Sequence, residues 1–190
     1  IGSTVSVMHG TARVIDPHTV DVNGQRFRAQ HILIATGGKP FLPDVPGIEH
    51  AITSNEAFDL PALPKRILIV GGGYIAVEFA GIFNGLGAQV TLSYRGEQIL
   101  RGFDDDVRTH LQDEMAKKGV AMRLRTDVAR IDQSSSGGLT VTLVGETNDA
   151  LEVDAVMYAT GRVPNTQGLG LDEVGVKLDS VGGVLVSPLG

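Results

Sequence analysis

The chain has 190 residues, of which 42% are hydrophobic, a composition typical of a globular protein. Its formal net charge of −6 argues against a nucleic-acid binder, since such domains are usually basic. It contains no cysteine, so these residues provide no disulfide, no cysteine-ligated metal site and no thiol chemistry. The five histidines are scattered without ligand spacing, no hydrolase motif occurs, and no apolar run approaches the roughly 20 residues of a membrane helix. We therefore predict no metal site, no nucleic-acid partner and no membrane span.

The first third of the chain predicts short strands followed by a connection. Residues 1–34 alternate apolar and polar, with turn signals at Asp16-Pro17 and Asn23-Gly24, which predicts an antiparallel meander. Residues 31–38 predict a buried strand that ends in a turn of small residues. Residues 55–60 predict a short helix with Ser54 as its cap.

Residues 65–101 predict a dinucleotide-binding unit. The apolar run 67–70 suits a strand buried in a parallel sheet, and Gly71 allows the tight turn that leaves it. Gly73 leaves room for a pyrophosphate beside a helix N-terminus, and Ala76 replaces the third glycine of the pattern. A bare motif of this kind also occurs as a plain structural turn, but here the strand, the helix and a second strand at 89–92 accompany it.

The residues after that second strand favour NADPH over NADH. An NAD-binding unit has an acid about 20 residues after the first glycine, whereas this chain has Tyr94, followed by Arg95 and later Arg101. Guanidinium groups bind phosphate in bidentate fashion, so the two arginines suit a 2′-phosphate. The alternative is that both are ordinary solvated surface charges.

The remaining elements continue the α/β pattern. Residues 104–118 predict a helix with acids at its start, lysines at its end and Gly119 beyond it. A third parallel strand at 120–124, a second meander at 128–155 and a strand at 155–158 follow. Ala-Thr-Gly turns at 35–37 and 159–161 lie on either side of the dinucleotide unit, which indicates one domain inserted into another.

These motifs together resemble the flavoprotein disulfide reductases with two dinucleotide-binding domains, and within that family the glutathione reductase branch. The matching segments are 32–38, Ser54, 71–78, Arg95, 101–104 and 159–165. The resemblance implies an α/β fold in which a Rossmann-like NADPH-binding domain, 44–160, is flanked by parts of an FAD-binding domain, 1–43 and 161–190. It also implies electron transfer from NADPH through FAD and a cysteine pair to glutathione disulfide.

The resemblance also implies roles for individual residues near NADPH. Tyr74 resembles the tyrosine that covers the nicotinamide pocket, and Glu78 resembles the acid that helps to position the nicotinamide. The alternative for Glu78 is a plain solvent-facing helix residue. The remaining implied NADPH contacts are Gly71, Gly73, Ile75, Arg95, Arg101, Ala159 and Gly161. The implied FAD contacts are Thr11, Ala12, Thr36, Gly37, Ser54 and Arg162.

Further expectations concern the parent protein. By the family pattern, the redox cysteines would precede this chain and the catalytic histidine and dimer interface would follow it, so we expect these residues alone to be inactive. Trypanothione reductases share the arginine pattern, so that branch stays open, and mercuric reductase and coenzyme A-disulfide reductase relatives stay open although they match less well. A dithiol-free FAD electron-transfer reductase also stays open. An NADPH-sensing module is a third interpretation, against which Thr36, Ser54 and Arg162 argue, because a sensor would not need flavin contacts. We expect the parent to be a cytoplasmic homodimer.

Overall fold

The computed structural model describes residues 5–135 and 137–187. The chain divides into two compact units: one is Pro40–Gly161, and the other is discontinuous, with residues up to Lys39 and from Arg162 onward. The predicted mixed α/β fold with a parallel sheet is confirmed. The predicted cofactor domains 1–43, 44–160 and 161–190 stay predictions.

The discontinuous unit begins with a three-stranded antiparallel meander, β1 (Ala12–Asp16), β2 (Thr19–Val22) and β3 (Gln25–Arg28). Asn23 and Gly24 both have left-handed backbones, with φ of 52° and 87°, which suits the tight two-residue turn between β2 and β3. The predicted meander is therefore confirmed from residue 12 onward. Residues 5–10 form no strand, and residues 1–4 lie outside the described residues.

The predicted buried strand at 31–38 is wrong. Residues 31–37 have no regular structure, Leu33 is 88% exposed, and the strand β4 is Gly38–Pro40. An apolar run becomes a buried strand only where neighbouring strands satisfy its backbone. No described strand pairs with residues 31–37.

The Pro40–Gly161 unit is built on a four-stranded parallel sheet. In chain order the elements of the unit are β5 (Arg66–Val70), α1 (Tyr74–Gly85), β6 (Gln89–Tyr94), α2 (Asp105–Lys117), β7 (Ala121–Leu124), β8 (Thr126–Gln133), β9 (Leu139–Gly145), β10 (Ala150–Val153) and β11 (Ala155–Tyr158). The strand order of the parallel sheet is β11-β5-β6-β7, and a three-stranded antiparallel meander, β10-β9-β8, accompanies it.

Both faces of the parallel sheet are covered. Successive side chains of β5 point to opposite faces of the sheet, and each set packs in a different cluster. Ile67 and Ile69 pack in the cluster that contains the buried face of α1. Leu68 and Val70 pack in the cluster formed by the meander β8–β10. The central strand is therefore buried on both sides, as its continuous apolar sequence predicts.

The predicted cap at Ser54 is also wrong. The helix is a single 3₁₀ turn, Glu56–Phe58, and Asn55, the residue before it, provides no side-chain cap. Thr53 acts instead: the Glu56 carboxylate accepts from the Thr53 hydroxyl at 2.6 Å and from the Thr53 amide at 2.7 Å, and these bonds lower the pKa of Glu56. A threonine three residues before a glutamate brings the two side chains together at the start of a helix, whereas Ser54 lies one residue too late.

The second helix confirms its prediction. The Asp104 carboxylate accepts from the amides of Asp106 and Val107 at the start of α2, and Gly119 has a left-handed backbone just beyond its end. The last strand, β12 (Arg162–Pro164), pairs with β4. Neither helix among the described residues is long and apolar enough to cross a membrane.

Candidate functional site

A cavity of about 310 Å³ lies at the carboxyl end of the parallel sheet. The turn after β5, the start of α1 and the ends of β6 and β11 meet there, together with Arg101. In open parallel sheets, ligands bind at this end, where successive connections leave in opposite directions. Here β6 and β11 lie on opposite sides of β5.

Two of the three turn glycines are required by the packing of the protein itself. Gly71 has a φ of 140°, and a Cβ there would lie 2.4 Å from the carbonyl oxygen of Ala159. A Cβ on Gly72 would lie 2.5 Å from Cγ of Tyr94. Only a residue without a side chain fits at either position.

Gly73 is different, because the protein itself does not require a glycine there. Its φ of −84° and ψ of 178° suit any residue, and a Cβ would meet no atom within 4 Å. Gly73 lines the cavity, so a side chain at this position would take up space that is otherwise left for a ligand. This feature fits the close approach of a dinucleotide to the backbone.

The start of α1 favours an anion. Its first turn contains no acidic residue, and Gly73 provides no side-chain cap for the free amides. Such amides and the helix dipole attract a phosphate group. Because Gly73, Tyr74 and Ile75 line the cavity, this helix terminus borders it directly.

Arg95 and Arg101 line the same cavity and are exposed. Within the described part of the chain, neither side chain has a hydrogen bond or an ion pair. By contrast, four other arginines of this unit are paired with carboxylates, namely Arg66, Arg108, Arg125 and Arg130. Two unpaired guanidinium groups at one cavity fit a phosphate ligand.

The loop that carries both arginines is anchored by backbone hydrogen bonds. The Leu100 amide donates to the Gly72 carbonyl at 2.6 Å, and the Arg125 amide donates to the Gly96 carbonyl at 3.0 Å. The first bond connects the residue before Arg101 to the glycine turn, and the second connects the residue after Arg95 to Arg125. Both cavity arginines are thus adjacent to anchored backbone.

The structure brings most of the predicted NADPH contacts together. Tyr74 lines the cavity and is 56% exposed, whereas Glu78 is exposed one turn further along α1 and does not line the cavity. The predicted residues that do line it are Gly71, Gly73, Tyr74, Ile75, Arg95, Arg101, Ala159 and Gly161.

Several cavity residues were not predicted from the sequence. Asp127 comes from the start of β8, and Tyr158 precedes the second Ala-Thr-Gly turn. Thr160 donates its hydroxyl to the Phe41 carbonyl at 3.1 Å, which brings Phe41 beside this turn. Tyr158 could have been found from its position before the turn, but Asp127 carries no sequence signal because it is distant in the chain.

The predicted FAD contacts form separate groups. Gly37 has a left-handed φ of 65°, and the Arg162 guanidinium donates to the carbonyl of the next residue, Gly38. Thr36, immediately before Gly37, is exposed. Among the described residues, no hydrogen bond links Thr11 or Ala12 to this group. Ser54 belongs to the Pro40–Gly161 unit.

Comparison with known proteins gives related proteins over nearly the whole chain. The chain is 52% identical to a glutathione reductase of Burkholderia cepacia over 97% of its own length and 40% of that protein. It is 45% identical to the chloroplastic/mitochondrial glutathione reductase of Pisum sativum, over 96% of the chain and 33% of the relative. A trypanothione reductase of Trypanosoma congolense is 46% identical over 85% of the chain and 33% of the relative.

A solved structure gives the same result. The chain matches the HOCl-induced flavoprotein disulfide reductase RclA from Escherichia coli with a TM-score of 0.88 and 31% identity, over 96% of the chain and 42% of that protein. The chain thus spans about two fifths, or less, of these relatives. The family described as pyridine nucleotide-disulphide oxidoreductase matches residues 1–189. The chain therefore belongs to the pyridine nucleotide-disulphide oxidoreductases, as the motifs predict.

Proposed function

We propose that the Pro40–Gly161 unit binds NADPH and that the chain is part of a flavoprotein disulfide reductase that reduces glutathione disulfide. The observation that carries this proposal is the shared cavity: the glycine turn, a helix N-terminus and two unpaired arginines all line it. A pyrophosphate and a 2′-phosphate are the two anionic groups of NADPH, and these features suit one each.

Each predicted contact then has a part in binding. Gly73 and the start of α1 hold the pyrophosphate, while Arg95 and Arg101 hold the 2′-phosphate. Ile75, Ala159 and Gly161 line the ribose and nicotinamide end. Once bound, the nicotinamide supplies a hydride and the flavin takes it up, which is chemistry of the cofactors themselves.

Tyr74 and Glu78 act at the nicotinamide end. The Tyr74 side chain is exposed at the cavity and can cover the nicotinamide pocket or move aside. Glu78 follows one turn later on the same side of α1 and has no partner within the described residues. Its carboxylate is therefore available to orient the cofactor.

The discontinuous unit contributes to FAD binding. We assign residues 1–43 and 161–190 to an FAD-binding domain, with residues 44–160 as the NADPH-binding domain. The contacts proposed for FAD are Thr11, Ala12, Thr36, Gly37, Ser54 and Arg162.

The substrate of the whole protein is a disulfide. The glutathione reductase relatives favour glutathione disulfide, and the 46% identity to a trypanothione reductase favours trypanothione disulfide as the second candidate. We place the whole protein, as a homodimer, in the cytoplasm. A kinetic comparison of the two disulfides with the full-length enzyme separates the candidates, since only the true substrate supports fast NADPH oxidation.

Calorimetric titration of the 190-residue chain with NADPH and, separately, NADH tests the cofactor assignment. We expect at least tenfold tighter binding of NADPH. The double variant Arg95→Ala with Arg101→Ala should weaken NADPH binding by about a hundredfold or more and NADH binding little, because each charged hydrogen bond contributes about 1.5–3 kcal/mol.

The matched control is Arg130→Ala, which removes an exposed arginine of the same unit that does not line the cavity. It should leave both affinities unchanged. Equal weakening of NADPH and NADH by the double variant would contradict the arginine clamp, and equal affinities in the unmodified chain would contradict the choice of NADPH.

A further inference from the structure

Arg125 lies at the corner between β7 and β8, and it does not line the cavity. Its φ of 47° is left-handed, an uncommon conformation for a residue with a side chain. Its amide donates to the Gly96 carbonyl at 3.0 Å, and its carbonyl accepts from the Glu146 amide at 2.9 Å. The backbone of this one residue therefore connects the loop after β6 to the end of β9.

The Arg125 side chain repeats this connection. Its guanidinium lies 3.3 Å from the Glu97 carboxylate and 3.5 Å from the Glu146 carboxylate. Glu97 is two residues after Arg95, and the same loop continues to Arg101. Glu97 is the acid closest to Arg95 along the chain, and Asp127 is the acid that lines the cavity itself.

An unpaired Glu97 would oppose the binding of a phosphate in two ways. Its negative charge would repel a phosphate dianion, and its carboxylate would compete for the guanidinium groups of Arg95 and Arg101. Exposed ion pairs contribute little to the stability of a fold. The Arg125–Glu97 pair, however, removes a competing acid from the loop that carries Arg95.

We infer that Arg125 is a positioning residue that determines specificity for the 2′-phosphate: it holds Glu97 away from Arg95 and Arg101. This inference rests on the proposed NADPH function. It extends the specificity site beyond the cavity, to a residue 30 positions after Arg95 in the chain.

The test uses Arg125→Gly in the 190-residue chain. Glycine adopts a left-handed φ freely, so this variant removes the guanidinium and leaves the corner unstrained. We expect the Kd for NADPH to rise about fivefold, which corresponds to about 1 kcal/mol, the upper value for an exposed pair. The Kd for NADH, which has no 2′-phosphate, should change less than about twofold.

Adding Glu97→Gln distinguishes positioning from simple structural support. If Arg125 acts by neutralising Glu97, the double variant Arg125→Gly with Glu97→Gln should recover the NADPH affinity of the unmodified chain. Arg130→Gln, which breaks an exposed pair with Asp132 elsewhere in the unit, should leave the NADPH-to-NADH ratio unchanged.

The outcomes separate this inference from the proposed function. If the unmodified chain binds NADPH and NADH equally, the proposed function fails. If the unmodified chain prefers NADPH and Arg125→Gly keeps that preference in full, only the inference about Arg125 fails. A double variant that stays as weak as Arg125→Gly would likewise overturn it, because the loss would then not pass through Glu97.

Discussion

The ring of Tyr94 occupies the space that a side chain on Gly72 would need. A Cβ on Gly72 would lie 2.5 Å from Cγ of the ring, and a Cβ on Gly96 would lie 2.4 Å from its Cε1. The ring therefore packs directly against the backbone of two glycines, Gly72 and Gly96. Tyr94 stands where an NAD-binding unit has its acid, and in this chain the position is occupied by a packed aromatic ring.

Gly72→Ala should destabilise the fold. The new methyl group would overlap the Tyr94 ring, and overpacking of this kind costs about 1–3 kcal/mol. Urea denaturation of the variant and the unmodified chain measures the difference in the free energy of unfolding. Gly81→Ala is the control, because a Cβ at this position on α1 meets nothing within 4 Å and alanine favours a helix by about 1 kcal/mol. An unchanged stability for Gly72→Ala would contradict the packing described for Tyr94.

Gly73→Ala should affect binding and leave the fold intact. The backbone there suits any residue and no protein atom lies near the added Cβ, so the free energy of unfolding should change by less than about 1 kcal/mol. The methyl group would occupy the proposed approach of the pyrophosphate, and NADPH affinity should fall at least about tenfold, or about 1.4 kcal/mol. Denaturation and titration of the same preparation measure both quantities. Unchanged NADPH affinity would place the pyrophosphate elsewhere.

The parallel βαβ unit could be predicted because its signals are local. The apolar run of β5, the glycines after it and the helical spacing of the buried residues in α1 each specify their own element. The acids and lysines of α2 specify its two ends in the same way. Such elements do not depend on distant partners for recognition.

The predictions from the sequence fail where a local structure depends on residues that are not adjacent in the chain. The run 31–37 has the composition of a buried strand, but pairing decides whether it becomes one. The choice of Thr53 over Ser54 as the cap depends on the reach of the Glu56 carboxylate. Asp127 lines the cavity only because β8 begins beside the end of β6, where the Ser93 hydroxyl donates to the Thr126 carbonyl at 2.8 Å.

Tyr158→Phe should stabilise the protein. Tyr158 is 2% exposed, and its hydroxyl has no hydrogen-bond partner within the described part of the chain. A buried hydroxyl without a partner costs about 1–3 kcal/mol, so its removal should raise the free energy of unfolding by about 1 kcal/mol. Urea denaturation at pH 7 measures the change. A loss of stability instead would reveal a partner for the hydroxyl.

The same residue should make the stability of the protein sensitive to alkali. Burial, with a further contribution from the Asp127 charge, raises the pKa of Tyr158 well above its ordinary value of about 10. Because the unfolded state therefore ionises first, the free energy of unfolding is unaffected by this ionisation below about pH 10 and falls as the pH rises toward the folded-state value. Stability measured at pH 9 and pH 11 should therefore fall less in Tyr158→Phe than in the unmodified chain. Parallel losses in both proteins would show that another group is responsible.

Asp154 should provide the corresponding sensitivity to acid. Its carboxylate accepts from the Arg66 guanidinium at 3.0 Å and from the Arg66 amide at 2.8 Å. Both bonds lower the pKa of Asp154, and the bond from the guanidinium has the larger effect. A lowered pKa contributes stability that is present above about pH 4 and lost as the pH falls through the folded-state value. Because both side chains are partly exposed, Asp154→Asn should cost only about 1 kcal/mol at pH 7. Urea denaturation at pH 7, 5 and 3 should show that the free energies of unfolding of the variant and the unmodified chain converge at the lowest pH. A constant difference across that range would mean that the carboxylate charge does not stabilise the start of β5.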